Sequence, residues 1–457
     1  MSDDQLTLEA VADDDSEGVS ATANVPQAAH IEHVAFGDLP EDWTWEKSED
    51  HLEYIRSGIS KSQNKDGDGI PVSRIETIAD GVVNHEKVGY IENNQTYNKD
   101  QLKPGDLLFS NINSREQIGK TAIYRGEKLL YHGMNLLRIR YTSEAFNPFF
   151  AYYVYDSPMA QDVFFRMSKA AVGQSSINQS QMERFFLPQP PLKEQREIAA
   201  VLYTVDQVIQ KTEEIISGYR RVKKGLGQNL LQRGVCEHEL VETDSIFGKL
   251  PKDWSLERLV DITEIVGRTE PPTGVDKYWG GDIPWATPED IRSLDGPTIA
   301  ETEQTVTQAA LEEVSSNLVP PESVLLTTRA TVGLCAVNEV EVTTSRAFKD
   351  LIPGERLDTW YLYYRISTME DYLNRLGWGS TFTEVIKPVL ENVTIPVPPL
   401  EEQKEIGEHL RSIDYCITEN IKVQNQYRNL KEGLMQDLLA GKVRTTDTNI
   451  EVAGEIA

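Results

Sequence analysis

The 457-residue chain contains only three cysteines, Cys236, Cys335 and Cys416, far apart and without a CxxC or a Cys/His cluster. That excludes a disulfide framework and offers no zinc-ligand spacing, so the three are expected to be reduced and structural. No run of about 18 apolar residues is present, as a membrane-crossing helix would need. There is no GxxxxGK[ST] phosphate loop, and no metal or nucleophile constellation marks a catalytic site. Positive charge is also scarce: 45 Lys and Arg stand against 73 Asp and Glu, a formal net charge of -28. The acidity is spread along the chain and concentrated at Met1–Val25, which carries Asp3, Asp4, Asp13, Asp14 and Asp15 without Lys or Arg. This is the reverse of a signal peptide's basic start, and the expected location is the cytoplasm. Two readings of the acidity stay open, a halophilic, high-salt cytoplasm in which dense carboxylates keep the surface hydrated, or an ordinary acidic protein.

Three local motifs imitate chemistry without completing it. Asn64–Gly69 opens like a calcium loop, but its twelfth position is Ile75 and Pro71 interrupts it, so a surface turn is expected. Asn147-Pro-Phe-Phe150 is close to the base-holding site of amino-methyltransferases but lacks the second proline; it is read as the start of a helix. Glu402-Gln-Lys404 offers half of a nuclease motif with no acidic partner nearby, and is read as helix surface. No catalytic residue and no metal ligand is assigned.

What the sequence does contain is a repeat. Pro191-Leu-Lys-Glu-Gln-Arg-Glu-Ile198 matches Pro399-Leu-Glu-Glu-Gln-Lys-Glu-Ile406 at an offset of 208, and 17 of the 44 positions in 191–234 and 399–442 are identical. A second pair opens each half, Phe36-Gly-Asp-Leu-Pro-Glu-Asp-Trp43 and Phe247-Gly-Lys-Leu-Pro-Lys-Asp-Trp254. Between these anchors the fillings, 44–187 and 255–395, look largely unrelated. Both carry short apolar runs expected as strands, Gly105–Ser110 with Thr121–Tyr124, and Ser323–Thr328 with Gly333–Val337. Pro148–Asp162 and Asp358–Arg375 are expected as helices packed on them, which makes each filling a mixed α+β domain.

The repeated segment is a different kind of element. Its apolar residues alternate by four and three, at Ile198, Leu202, Val205, Ile209, Ile216, Tyr219, Leu226 and Leu230, and again at Ile406, Leu410, Ile413, Ile417, Tyr427, Leu434 and Leu438. That is a heptad seam, with polar residues such as Thr212 and Gln424 set into it. Pro190-Pro191 and Pro398-Pro399 precede the helices, and Gly234 and Gly441 follow them as stop signals. A helix of about 40 residues is ~60 Å long, more than the ~34–36 Å of one DNA turn, so an antiparallel pair could hold two readers over two half-sites.

The Pro-Leu-x-Glu-Gln-x-Glu-Ile helix starts, the endings Lys223–Leu231 and Lys431–Leu439, and the Gly-x-Leu-Pro-x-Asp-Trp openings resemble the DNA specificity subunit of type I restriction-modification enzymes over about 33–444. The resemblance implies two mixed α/β target recognition domains separated by two long helices in an antiparallel coiled coil, with pseudo-two-fold symmetry. It divides the chain into an acidic disordered tail 1–32, a first recognition domain 33–188, a first helix 189–234, a linker 235–246, a second recognition domain 247–396, a second helix 397–442 and a C-terminal tail 443–457. It implies a non-catalytic subunit that reads a bipartite, asymmetric site on double-stranded DNA. Two modification (methyltransferase) subunits and two restriction (helicase-nuclease) subunits are the implied partners, for adenine methylation or cleavage. No cofactor is expected on this chain; S-adenosylmethionine, ATP and Mg belong to the partners.

Candidate DNA contacts follow from local charge and polarity. Ser110–Arg140 is a basic stretch in an acidic chain, carrying Arg115, Lys120, Arg125, Lys128, Arg138 and Arg140. Ser110, Asn111, Asn113, Arg115 and Lys120 are its best partners for bases and phosphates. Thr327, Thr328, Arg329 and Thr331 follow a strand in the second filling at about the corresponding place. The Gly-led loops with Gln174 and Ser175, and with Ser380 and Thr381, lie about 20 residues before each helix. The competing class is a coiled-coil scaffold whose two domains bind proteins.

Overall fold

The apolar runs become strands, and seven of them organise the first filling in this computed structural model, which describes residues 30–78, 81–171, 174–267, 269–314, 318–377, 384–446 and 454. They are β1 (Leu52–Ser57), β2 (Leu107–Phe109), β3 (Ile112–Asn113), β4 (Thr121–Ile123), β5 (Leu137–Tyr141), β6 (Lys169–Ala171) and β7 (Gln174–Ser176). The first, second, fourth and fifth form an antiparallel sheet in the order β1-β5-β2-β4, and the short strands form another, β3-β7-β6. In the second filling β8 (Thr263–Gly267), β9 (Val324–Arg329), β10 (Thr331–Asn338) and β11 (Phe348–Pro353) pair as β8-β11-β9-β10, with Thr298–Ile299 added parallel at the β10 edge. Two fillings that look unrelated in residue order therefore share one strand order, first, fourth, second, third. A sheet needs apolar residues on its buried face and does not need particular ones.

The chain divides into two compact units, residues 1–208 with 427–457, and residues 209–426. Both divisions fall inside long helices, Leu192–Arg233 and Leu400–Leu438, so neither helix is a segment apart from the domains. Ile198, Ala199 and Leu202 belong to the same core as Phe109, Tyr155, Phe164 and Phe185, together with Met435 and Leu438 of the second helix and Leu439 just after it. In the other unit Leu230, Leu231, Ile406 and Leu410 pack with Trp254, Val324, Leu351 and Tyr361. None of the heptad seam residues is exposed. Within residues 209–426 the helix segments run antiparallel: Lys223 faces Asp414, while Gln424 reaches Glu213 at 2.9 Å.

Five polar devices recur in the two units. Trp43 Nε1 donates to Glu194 at 3.1 Å, as Trp254 Nε1 does to Glu402 at 3.0 Å. Tyr153 donates to Asp206, and Tyr364 to Asp414, both at 2.7 Å. Lys431 pairs with Asp206 at 2.9 Å, and Lys223 with Asp414 at 2.6 Å. A basic side chain then closes each tryptophan–glutamate pair: Arg444 binds Glu194 at 2.7 Å and Asp42 at 2.8 Å, and His238 stands 2.8 Å from Glu402 and 3.8 Å from Asp253. The units differ in one carboxylate: Asp156 also reaches Lys431 at 3.2 Å, whereas Ser367 stands at the corresponding place in the second unit and bonds Tyr364 O. Burial pushes the Asp156 carboxyl above the ordinary aspartate range, against the pull of Lys431.

The fifth device is a glutamine with no exposed surface. Gln195 accepts from Asn147 N at 2.8 Å and donates to Ala145 O and Pro190 O; Gln403 accepts from Asp358 N at 2.8 Å and donates to Arg356 O and Pro398 O. Asn147 and Asp358 in turn cap the helices Pro148–Asp156 and Thr359–Ser367 through their side chains. Leucine at either glutamine removes the acceptor of a helix-cap N–H and the amide donor to the buried carbonyl of Pro190 or Pro398, so Q195L and Q403L are each expected to cost about 3 kcal/mol. Denaturant melts of the two variants should show comparable losses. A loss at one position only contradicts the equivalence of the two frames.

Several boundaries differ from those expected. A helix begins at His30, inside the segment 1–32 assigned to the tail, because Glu32 is buried and accepts Phe186 N–H. Segment 235–246 contains a strand, Leu240–Glu242, paired with Lys249–Pro251, rather than linker alone. In the C-terminal tail Thr445 is buried and donates to Glu197 at 2.9 Å. The helices expected over Pro148–Asp162 and Asp358–Arg375 are each two, Pro148–Asp156 with Pro158–Met167 and Thr359–Ser367 with Glu370–Leu376. Glu402 and Gln403 are buried, not helix surface, since the domain opening covers that face. Of the cysteines, Cys236 is exposed, and burial pushes the Cys335 thiol up to about 12. Among the described residues no helix is long and apolar enough to cross a membrane.

Candidate nucleic-acid interface

In the first unit the chain leaves β2, turns, and contributes β3 to the small sheet, so that two sequence-distant loops meet. Asn113 pairs with Ser175, and Gln174 pairs with Ala171 across the β6–β7 hairpin. Ser110, Asn111 and Ser175 are buried. The Ser110 hydroxyl accepts from Asn113 Nδ2 at 3.1 Å, and Asn111 Nδ2 donates to Ile177 O at 3.4 Å. These three shape the loops rather than face solvent. Asn113 and Lys120 are half-buried, and Arg115 is exposed with its guanidinium 4.1 Å above the Phe165 ring. Beside them lie Ile112, Phe165, Lys169 and Ser176, all exposed and none of them singled out from the sequence. Side chains alternate across a strand, so Ser175 falls on the buried face and Ser176 on the exposed one.

Much of the positive stretch is consumed internally, which corrects its reading as a basic surface. Arg138 is 2% exposed and donates to Gln101 O and Lys99 O. Arg140 binds Asp106 at 2.6 Å, and both guanidiniums stack on the Tyr54 ring. Arg125 lies 4.8 Å above Tyr203. These cations balance a buried aspartate and cover aromatic rings.

The second unit repeats the loop geometry. Val385 N donates to Thr328 O at 2.8 Å, as Ile177 N donates to Asn111 O at 2.9 Å, so Asn111 and Thr328 occupy equivalent places. Thr327 and Thr328 are buried; the Thr327 hydroxyl bonds both Leu334 N and Leu334 O across the hairpin. Ala330 turns the chain with φ 63°, and on either side of it Arg329 and Thr331 are half-buried at the rim of a groove of about 490 Å³. Arg292 and Arg346 line the same groove. They come from separate segments, and only the folded strand order brings them beside Arg329. Ser380 and Thr381 lie outside the described residues.

The candidate residues thus cluster, in each unit, at the loop that follows the second strand of the sheet. A family model described as the type I restriction modification DNA specificity domain matches residues 40–217 and again 251–426. The chain belongs to that family. The MjaX type I restriction enzyme specificity subunit of Methanocaldococcus jannaschii is 34% identical over 422 residues, covering 91% of this chain and 97% of that protein. The MjaIX specificity subunit of the same organism is 40% identical over 192 residues, 42% of this chain and 44% of that one. The crystal structure of the type I restriction-modification S subunit from M. genitalium overlays with a TM-score of 0.57 at 12% identity, covering 88% of this chain and 96% of that one, and so shares the fold. Each specificity domain of the present chain begins just before its buried tryptophan, and the two matched segments end at 217 and 426, inside the long helices.

Proposed function

We propose that this chain is the sequence-reading subunit of a type I restriction-modification complex, each specificity domain reading one half of a bipartite, asymmetric duplex site. The observation that carries this reading is one frame used twice, Trp43–Glu194–Gln195 with Lys431–Asp206 and Trp254–Glu402–Gln403 with Lys223–Asp414, supporting loops that differ in sequence at equivalent places. A shared frame fixes where each loop stands, and unlike loops make the two half-sites unlike. The long helices set the gap between half-sites and receive the partners, two modification subunits and two restriction subunits. The transferred methyl group, ATP and Mg are handled by those partners, in the cytoplasm. Asn113, Arg115, Lys120, Arg329 and Thr331 contact DNA directly, while Ser110, Asn111, Ser175, Thr327 and Thr328 hold the loops. With a net charge of -28 the chain attracts phosphates weakly overall, so base contacts and assembly carry much of the binding, as suits a high-salt cytoplasm.

The test is sequencing of methylated bases in a host expressing this chain with its modification subunits. One bipartite motif with a fixed gap and methylated adenines should appear only when the chain is present. Methylation unchanged by removal of the chain overturns the reading and favours a protein-binding scaffold.

A further inference from the structure

Three arginines converge on the groove of the second unit, and each is already held by a glutamate. Arg346 Nε stands 3.0 Å from Glu270, Arg329 Nε 3.8 Å from Glu384, and Arg292 is ion-paired with Glu289 one helical turn before it. Arg292 also donates to Thr331 at 3.1 Å, which ties it to the rim of the groove. The arginine side chains are 64%, 36% and 50% exposed in that order, so the pairs face water. Exposed pairs of this kind contribute little to stability and exchange readily. A duplex phosphate, like a carboxylate, offers a guanidinium two anionic oxygens for a bidentate pair.

We propose that Glu270, Glu289 and Glu384 guard Arg346, Arg292 and Arg329, occupying the guanidiniums until duplex phosphates displace them. This rests on the reading of the chain as a DNA specificity subunit, and it names the residues that suppress binding to the wrong sequence. An unguarded trio of arginines would grip any duplex, because phosphate contacts carry no sequence information. With the guards in place, a phosphate contact forms only at the expense of an existing pair. The exchange is therefore weakly favourable on its own and completes where base contacts at Thr331 and its neighbouring loop add to it. A reader facing a large excess of non-specific sites needs this ratio more than it needs bare affinity.

The experiment uses the full chain assembled with its modification subunits and measures anisotropy of labelled target and scrambled duplexes over a range of salt. The triple variant E270Q/E289Q/E384Q is expected to bind scrambled duplex roughly tenfold more tightly, with a salt slope steeper by up to about 0.9 for each freed arginine. Target binding gains less, so the preference for target falls. A control triple, E237Q/E239Q/E242Q, makes the same change in net charge in segment 235–246, where Glu239 and Glu242 pair with Lys252 and Lys249; it should leave both duplexes unaffected. R292Q/R329Q/R346Q should weaken binding to both. Scrambled-duplex binding unchanged by the first triple, or raised equally by the control, or arginine variants without effect, overturns the guard while leaving the function standing. An unaltered complex that fails to prefer its target overturns the function itself.

Discussion

Exchanging residues 255–395 for the corresponding filling of another specificity subunit is expected to replace one half of the recognised sequence and leave the other half untouched. The frame that receives the new filling stays in place, since Trp254, His238, Glu402, Gln403, Lys223 and Asp414 all lie outside it. Three residues of the device lie within the filling: Asp358, whose N–H Gln403 accepts, Arg356, whose carbonyl accepts from Gln403, and Tyr364, which donates to Asp414. A donor filling must therefore bring an Asn or Asp helix cap with a tyrosine six residues later, as Asn147 and Tyr153 do in the first unit. Each wrong base pair in a DNA site costs about 1–3 kcal/mol, so a half-site of several base pairs amounts to a preference of about 10³-fold or more. Sequencing of methylated bases in cells carrying the exchanged chain reads the outcome. A motif altered in both halves would mean that the domains do not read independently. A motif altered in neither would place recognition outside the fillings.

That cap-and-tyrosine spacing also shows how much of the fold was legible from residue order. The repeat at an offset of 208, the domain openings and the long helices are plain because helix starts, glycine stops and heptads each leave a local signature. The kinship of the fillings was not, although Asn147-Pro-Phe-Phe-Ala-Tyr-Tyr153 and Asp358-Thr-Trp-Tyr-Leu-Tyr-Tyr364 match at an offset of 211, the offset of the two openings. Read alone, the first of these looks like a failed base-holding motif; side by side, the two are one capped aromatic helix in two copies. Glu402 was misplaced for a related reason. The polar face of a helix is normally solvated, and nothing local to 402–404 announces that Trp254, 148 residues earlier, will cover it.

The candidate interface was less legible than the fold. Polar, glycine-led loops drew attention to segments that the fold brings together but did not separate buried from accessible side chains, because burial is decided by packing with distant segments. Ser110 and Thr327 are polar and inaccessible, whereas Arg292 and Arg346 reach the groove from segments 37 and 17 residues away from Arg329 in the chain. Net local charge misled as well, since Arg138 and Arg140 are spent on Asp106 and the Tyr54 ring. The candidate interface is assembled from distant segments by strand order.

The most direct measurement compares four duplexes bound by the chain assembled with its modification subunits: the full site, each half-site with the other half scrambled, and the full site with its gap lengthened by several base pairs. Two unlike domains, each with its own copy of the frame, predict tight binding to the first and a loss of about 10³-fold or more on each of the others. Full-strength binding to either half-site alone, or indifference to the gap, would contradict it.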